Sequence, residues 1–346
     1  MKLLIITQVI DTEHPILGFF HRWVIEFARH CEHVHVIALQ VGHYDLPANV
    51  TVHTLGKEVG MGKLRYLYNF YRLIISLRHE YDSVFVHMNQ IYVILGAPFW
   101  RLWGKRVGLW YAHGAVTNSL TVAVVLAHLV FTSTEQGMRI VTKKRRIVGQ
   151  GIDTDVFTAT KRVPLETLRL VTVGRISQSK NIQTLIMACA QLKQRGLPFS
   201  FRIVGPATTP AEEQYANEMR VLVTTLGLAA EITWVGSLPQ AALPIELHVA
   251  DIFIHDGVTN SLDKALLEAA LCGCVVISSN PSYHSITSHV APELLYSPGN
   301  ADELVSIITA VYTDRVRYTQ IQQAVTNFLS RTHSVSNLIS GIVIKY

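Results

Sequence analysis

Cysteine is scarce in this sequence of 346 residues, which contains four: Cys31, Cys189, Cys272 and Cys274. Their spacing gives neither a disulfide framework nor a zinc motif, so we predict reduced thiols and a cytoplasmic protein. Charged residues are also few, at 16%, while 49% of the residues are hydrophobic. That balance excludes a disordered or fibrous chain and provides enough apolar material for the cores of two domains.

Long hydrophobic runs are missing as well. The opening MKLLIITQVID has too short an apolar run for a signal peptide, and the run from Leu120 to Phe131 is too short to span a bilayer. We therefore expect no segment that crosses a membrane. The formal net charge of +5 fits phosphate-bearing ligands or an anionic membrane surface, and it is too small to imply nucleic acid.

Several chemical motifs are absent. Neither half contains the GxGxxG fingerprint of dinucleotide-binding domains, which argues against a nicotinamide oxidoreductase. None of the 16 histidines forms HExxH or pairs with cysteine at zinc-finger spacing. Asp153 and Asp155 form a DxD triplet, but it lies in a turn after VGQG, where we do not expect a metal. The prediction is therefore a protein without a metal or cofactor.

Short apolar runs alternate with amphipathic stretches, which predicts α/β domains with parallel sheets covered by helices. The expected strands of the first half are 3–7, 33–39, 83–88, 106–113 and 128–133, with a further one starting at Arg145. The expected strands of the second half are 169–174, 201–205, 232–236, 250–254, 274–279 and 293–297. Helices are expected at 301–312, 316–329 and 334–343.

The polar segment 158–168 has the composition of a linker. We therefore predict one Rossmann-like domain at 1–160 and a second at 161–330, with the two parallel sheets facing across a cleft. Residues 331–346 are predicted to form a helix that packs back on the first domain.

The segment VGRISQSKN ends the first strand of the second half. It places Arg175 and Lys180 after Gly174, in a loop that precedes a helix starting near Asn181. Two cations beside a helix N-terminus can hold a diphosphate. A lysine in a polar loop is more often simply solvated, so the position at the end of a buried strand is what favours a binding role.

The stretch from His255 to Cys274, HDGVTNSLDKALLEAALCGC, reads as a loop and a helix after a buried strand. Ser261 is the predicted N-cap, and apolar residues at three- and four-residue spacing indicate one buried face. Asp263, Lys264 and Glu268 are left to face the crevice where open α/β sheets bind ligands. This stretch predicts one wall of a nucleotide-sugar site.

These segments, with VGQGIDTDVF before the linker, resemble the retaining glycosyltransferases of family 4, which have the GT-B fold. The resemblance implies that Arg175 and Lys180 bind the diphosphate of the donor and that Glu268 binds its ribose. It also implies that His113 and Gly114, after a strand of the first half, lie near the donor sugar. Gly18, in the first loop, is expected to allow close approach of the backbone to the acceptor or a phosphate.

One position departs from the family pattern. The family usually has two glutamates separated by seven residues, and counting back from Glu268 places Asn260 where the first is expected. An amide can hydrogen-bond to sugar hydroxyls but carries no charge to support an electron-poor anomeric carbon. We expect Asn260, Ser261, Asp263 and Lys264 to line the sugar and phosphate side of the site.

The resemblance implies a metal-independent transferase that moves a sugar, with retention of configuration, from a nucleoside diphosphate sugar to an acceptor hydroxyl. The expected acceptor is a glycan or lipid-linked glycan, in the synthesis of cell-surface glycans or glycolipids. Two alternatives stay open: a nucleotide-sugar epimerase of the same fold, and a non-catalytic nucleotide-sugar-binding subunit. In the transferase, Arg175 and Lys180 are expected to neutralise the charge that builds on the departing diphosphate, and His113 to help fix the sugar at the reacting face.

The segment from Gly60 to Tyr81 predicts an amphipathic helix with several basic and aromatic residues. Two interpretations stay open for it. It can be an ordinary cover helix whose aromatic stripe packs on the sheet. It can also dock on anionic lipid, which would make the protein peripheral at the inner face of the membrane.

Overall fold

The structure is a computed structural model that describes residues 1–14, 16–160, 167–257, 262–288 and 290–346. It divides into two compact units, Met1–Asp153 with His333–Tyr346, and Thr154–Thr332. The predicted linker lies partly outside the described residues, at 161–166. Among the helices described, none combines the length and the apolar character needed to cross a membrane.

The first unit is built on a parallel sheet of seven strands in the order β3-β2-β1-β4-β5-β6-β7. Its strands are β1 Lys2–Ile10, β2 His33–Val41, β3 Val50–Thr54, β4 Ser83–His87, β5 Arg106–Trp110, β6 Leu129–Thr132 and β7 Arg145–Ile147. Its helices are α1 Phe19–His30, α2 Lys63–Ser76, α3 Ile91–Leu102, α4 Asn118–Leu126 and α12 Val335–Val343. Strand β3 is an addition to the predicted set.

Helix α12 is part of the first unit. Val335, Leu338, Ile339 and Ile342 are buried in the same apolar cluster as Trp23 and Phe27 of α1. Backbone hydrogen bonds join the start of α12 to Ile152, which follows β7 in the chain. Ile152 N donates to His333 O at 2.8 Å, and Val335 N donates to Ile152 O at 2.8 Å. One core of the first unit is therefore closed by residues that are distant in sequence.

The second unit has a parallel sheet of five strands in the order β10-β9-β8-β11-β12. The strands are β8 Leu168–Val173, β9 Phe199–Val204, β10 Ile232–Gly236, β11 Ile252–His255 and β12 Val275–Ser278. The helices are α5 Ile182–Gln194, α6 Pro210–Thr225, α7 Leu243–His248, α8 Lys264–Leu271, α9 Pro281–Thr287, α10 Ala301–Thr313 and α11 Arg315–Thr332. Two parallel α/β units, each with a Rossmann-like strand order, confirm the predicted fold class.

The predicted strand 293–297 is wrong. Pro292–Leu294 forms a 3₁₀ turn, and Leu295 makes a single bridge with Ser278. Proline cannot donate to a sheet ladder, and the turn leaves too few extended residues for a strand. The sheet of the second unit therefore ends at β12 within the described residues.

Candidate active site

The candidate site lies at the carboxyl ends of β8 and β11, which are neighbours in the second sheet. The chain runs outward from β8 to β9 and β10, and then returns to β11 on the other side of β8. The strand order thus reverses between β8 and β11. In open α/β sheets, ligands bind at such a switch point, outside the carboxyl ends of the strands.

Two glycines bring the ends of β8 and β9 close together. Gly174 has φ +154° and Gly205 has φ +139°, and a Cβ on Gly205 would lie 1.9 Å from the carbonyl oxygen of Gly174. A Cβ on Gly174 would lie 3.5 Å from Cε of Lys180. The Lys180 side chain therefore runs along the backbone of Gly174, and both positions need glycine.

An ion pair joins the two strand ends. Lys180 ends the 3₁₀ turn Gln178–Lys180 after β8, and its Nζ pairs with Oδ2 of Asp263, which follows β11. Asp263 is also the N-cap of α8, where its Oδ1 accepts a hydrogen bond from Ala265 N at 3.2 Å. Burial acts to raise the pKa of Asp263, but the Lys180 ammonium and His255 outweigh it and hold that pKa well below its usual range. Asp263 is therefore a carboxylate.

His255 is the last residue of β11 and is almost completely buried, with 2% of its surface exposed. Its Nδ1 lies 3.0 Å from Ser278 Oγ, and its Nε2 lies 3.6 Å from Asp263 Oδ2. At that distance Nε2 has no hydrogen-bond partner among the described residues. A Cβ on Gly257 would lie 2.7 Å from Nε2, so the chain passes directly over the imidazole.

Lys264 and Glu268 are one helical turn apart on α8. Glu268 accepts a hydrogen bond from Gln240 Nε2 at 3.5 Å. Burial raises the pKa of Glu268, which Lys264 partly opposes, and burial lowers the pKa of Lys264, which Glu268 partly opposes. The two charges are thus held in a site that resists ionisation, as perturbed groups at binding sites often are.

A buried hydrogen-bond network under this site was not predicted. Asp256 is fully buried and accepts from Asn181 Nδ2 at 2.8 Å, Ser279 Oγ at 2.7 Å and Gly299 N at 3.0 Å. Asn181 adopts a left-handed conformation, φ 40°, directly after Lys180. Asp256 therefore fixes the turn that carries Lys180. The signal available in the sequence was an acid directly after a buried strand.

Arg175 does not share the Lys180 pair. Its Nη1 donates to Glu212 Oε1 at 3.0 Å, at the start of α6, and half of the side chain is exposed. Nearby, a cavity of about 290 Å³ opens between the ends of β8, β9 and β10, and its lining includes Ile176, Gly205 and Trp234. The described residues thus bring Lys180, Asp263 and Gly174 together, while Arg175 has a separate partner.

The remaining predicted residues belong to the first unit. His113 follows β5 and is exposed, and the N–H groups of His113 and Gly114 both lie 3.0 Å from the carbonyl oxygen of Gly137. Gly18 is the N-cap of α1, where a Cβ would lie 2.9 Å from the carbonyl oxygen of His14. A side chain on Gly18 would therefore collide with the backbone of the loop that precedes α1. Asp153 of the DxD triplet accepts from Arg22 Nε at 3.1 Å.

Asn260 and Ser261 lie outside the described residues, so their predicted roles stay predictions. The predicted N-cap is nevertheless corrected, because α8 starts at Lys264 and Asp263 caps it. Aspartate caps helices as well as serine does. Two candidates for the cap, Ser261 and Asp263, lie two positions apart and made the start of this helix ambiguous in the sequence.

A comparison with protein families matches residues 154–328, just over half of the chain, to the model described as "Glycosyl transferases group 1". The chain belongs to this family. Two curated relatives of this group 1 glycosyltransferase are an amylovoran biosynthesis glycosyltransferase, AmsK of Erwinia amylovora, and a 2-deoxystreptamine glucosyltransferase of Streptomyces kanamyceticus. AmsK is 28% identical over 179 residues, 48% of this chain and 41% of its own. The second is 29% identical over 143 residues, 41% of this chain and 35% of its own.

The matched region of this group 1 glycosyltransferase thus spans about two fifths of the curated relatives' length. Solved structures match over nearly whole chains. Anabaena HepE in complex with UDP and glucose gives a TM-score of 0.80 at 20% identity, over 100% of this chain and 99% of its own. Sucrose-phosphate synthase of Thermosynechococcus elongatus gives a TM-score of 0.78 at 16% identity, over 99% of this chain and 98% of its own. At these identities the likeness shows the shared GT-B fold.

Proposed function

We propose that this protein is a retaining, metal-independent glycosyltransferase of the family 4 type, which moves a sugar from a nucleoside diphosphate sugar to an acceptor hydroxyl. The observation that carries the proposal is the Lys180–Asp263 pair, which sets a cation at the switch point of the second sheet. A lysine ammonium there can neutralise the charge that grows on a departing diphosphate. Membership of the group 1 glycosyltransferases supports the same reaction.

The other residues of the second unit take complementary roles in this proposal. Glu268, held by Gln240, binds the ribose hydroxyls of the donor. The N-terminus of α5 adds partial positive charge beside Lys180, because Lys180 directly precedes Asn181, the N-cap of that helix. Arg175 would have to leave Glu212 to join the diphosphate. His113 and Gly18 are assigned to the sugar and acceptor side, and Asn260, Ser261 and Lys264 to the donor side.

UDP sugars are the donors to test first, because HepE was solved in complexes with UDP, with UDP and glucose, and with UDP-glucose. Two relatives are named as glycosyltransferases of amylovoran and colanic acid biosynthesis. We therefore propose a glycan or lipid-linked glycan as the acceptor, in the synthesis of a cell-surface polysaccharide or glycolipid.

The direct test is Lys180→Ala. Donors are first screened by thermal shift against UDP-, GDP-, ADP- and TDP-sugars, since a ligand that binds only the native state raises the melting temperature. With the donor identified, we expect Lys180→Ala to lower kcat/KM for transfer about 100-fold or more, in the range found when one preorganised charge or donor is removed.

Lys193→Ala is the matched control, because Lys193 is on the far end of α5 and pairs with Glu231 at 2.8 Å. Turnover of Lys180→Ala as high as that of Lys193→Ala would refute the diphosphate role. Incubation with donor alone separates the alternatives: formation of an epimer would favour an epimerase. Donor binding without transfer to any acceptor in a panel would favour a binding subunit.

We further propose that the protein is cytoplasmic and that helix α2 docks it on the anionic inner face of the membrane. Leu64, Tyr68 and Ile75 are exposed, at 85%, 57% and 40%, and lie along one stripe of the helix. Arg65 and Arg72 are exposed beside that stripe, and no acidic residue occurs from Val59 to His79. An apolar stripe flanked by basic residues is complementary to anionic lipid headgroups.

A further inference from the structure

The Lys180–Asp263 pair creates an electrostatic conflict for the proposed function, on which the following inference rests. A donor diphosphate that binds Lys180 takes away the cation that neutralises Asp263. It also brings further negative charge next to that carboxylate. A buried carboxylate that loses its partner is strongly unfavourable unless another positive group replaces it.

His255 is placed to be that group. Its Nε2 lies 3.6 Å from the same oxygen, Asp263 Oδ2, that pairs with Lys180. The atom is buried and lacks a hydrogen-bond partner among the residues that the structure describes. The ring cannot easily turn away, because Nδ1 lies 3.0 Å from Ser278 Oγ and Gly257 closes over the other side.

We infer that His255 is a positioning residue that takes up a proton when the donor diphosphate binds, and as an imidazolium replaces Lys180 as the partner of Asp263. The proton comes from solvent and bonds to the imidazole. Both ring nitrogens then donate, Nδ1–H to Ser278 Oγ and Nε2–H to Asp263 Oδ2. Release of the nucleoside diphosphate returns Lys180 to Asp263 and the proton to solvent.

Other charged groups near the pair do not offer the same exchange. Lys264 follows Asp263 in the chain, but the opposite charge that acts on its pKa is that of Glu268. Asp256 is occupied by Asn181, Ser279 and Gly299. Tyr296 donates its hydroxyl to the carbonyl oxygen of His255, at 3.0 Å, and holds the backbone rather than the ring. Before the donor binds, Asp263 is ionised, since Lys180 and His255 lower its pKa against the effect of burial. Once Lys180 has left, protonation of Asp263 is the competing outcome, and it would give the same proton uptake in a variant without His255.

The inference is tested by calorimetry with UDP-glucose, or with whichever nucleotide sugar binds in the donor screen. A sugar diphosphate diester carries no proton that titrates near neutral pH, so proton exchange reports on the protein. Titrations at pH 7.5 in two buffers of different ionisation enthalpy give the number of protons taken up. Lys264 and Glu268 also have perturbed pKa values at this site, so the difference between wild type and variant is what reports on His255. We expect the wild type to take up as much as one proton more than His255→Gln, and its donor Kd to rise more steeply with pH than that of the variant.

His248→Gln is the control, because His248 is a half-buried histidine of the same unit, with Nε2 2.8 Å from the carbonyl oxygen of Thr158. If His255→Gln does not fold, Asp263→Asn tests the same idea: it keeps a helix cap and leaves no carboxylate to neutralise, so proton uptake should fall by as much as one proton relative to the wild type. Equal proton uptake in wild type and variant would overturn the inference while the proposed function stands. Failure of every nucleotide sugar to bind would overturn both.

Discussion

His35 shows how one residue contributes to the response of the first unit to acid. It is buried on β2, with Nδ1 3.3 Å from Nε2 of His53 on β3 and its ring 4.5 Å from that of His33. Burial lowers the pKa of His35 to about 4, and His33, His53 and Lys2 add to the shift, while Glu80 opposes it. The folded unit therefore favours the neutral imidazole.

A histidine whose folded pKa is lowered stabilises the fold above its unfolded pKa of about 6.5, and this stability is lost as the pH falls towards 4. We expect the free energy of unfolding to fall by about 2 kcal/mol between pH 7.5 and pH 5 on account of His35. Urea unfolding at the two pH values measures it. His35→Leu should reduce this dependence by about 2 kcal/mol, leaving the part that His333 contributes, and the exposed control His79→Asn should not change it. An equally steep dependence in His35→Leu would contradict the assignment.

Residues of the candidate site could be predicted only where a pattern in the neighbouring sequence positions marks them. Lys180 follows a buried strand, Asp263 directly precedes a helix, and Glu268 lies within that helix between its apolar residues, so the sequence pattern indicated them. Asp256 and Asn181 are 75 positions apart, and their hydrogen bond depends on β8 and β11 being neighbours. No local pattern carries that information. The same holds for the contact of His255 with Asp263 and for the separate partner of Arg175.

At the scale of elements, long buried strands and helices were predicted well and marginal ones were not. β1, β2 and β8 are dominated by apolar residues in a parallel sheet, which gives a clear signal. β3 was missed because Val50–Thr54 is short and none of its residues is fully buried. The predicted strand 293–297 failed because apolar residues there pack from a 3₁₀ turn.

Helix α2 offers the prediction that belongs to this scale. We expect the protein to sediment with vesicles that contain phosphatidylglycerol and to stay in solution with vesicles of phosphatidylcholine alone. Each basic residue near an anionic surface contributes about 1 kcal/mol, so Arg65→Glu with Arg72→Glu should weaken binding at least tenfold. Leu64→Asp should weaken it too, because the apolar stripe then carries a charge.

The control is Val221→Asp, since Val221 is 66% exposed on α6 of the second unit. Binding should also decline at high salt, where surface charges are screened. Vesicle binding that is the same for the Arg65 and Arg72 reversals as for Val221→Asp would leave α2 as an ordinary cover helix.

At the scale of the whole molecule, we expect a substitution that destabilises one unit to leave the stability of the other unit unchanged. Leu338 of α12 is fully buried in the first unit, and Leu329 of α11 is fully buried in the second. Truncation of a buried leucine to alanine usually costs 2–5 kcal/mol. We expect Leu338→Ala to lower the hydrogen-exchange protection of β1 and β2 and to spare β8, read by mass spectrometry of peptides.

Leu329→Ala is the matched variant and should produce the opposite pattern, with β11 and β12 losing protection while β1 and β2 keep theirs. A loss of protection spread equally over both units in either variant would show that they unfold as one body. The variants also separate stability from chemistry, because neither residue lies at the candidate site.

The closing of the first core by α12 has a consequence for synthesis of the protein. The ribosome makes the first 153 residues, then residues 154–332, and only then the segment His333–Tyr346, which contains α12 and covers Trp23 and Phe27. At bacterial or eukaryotic speeds of translation this interval lasts roughly 10 to 40 s. During that time the first half exposes an apolar surface next to a second half that can already fold. Newly made chains are therefore expected to depend on chaperones at this stage, and the half made first to mature last.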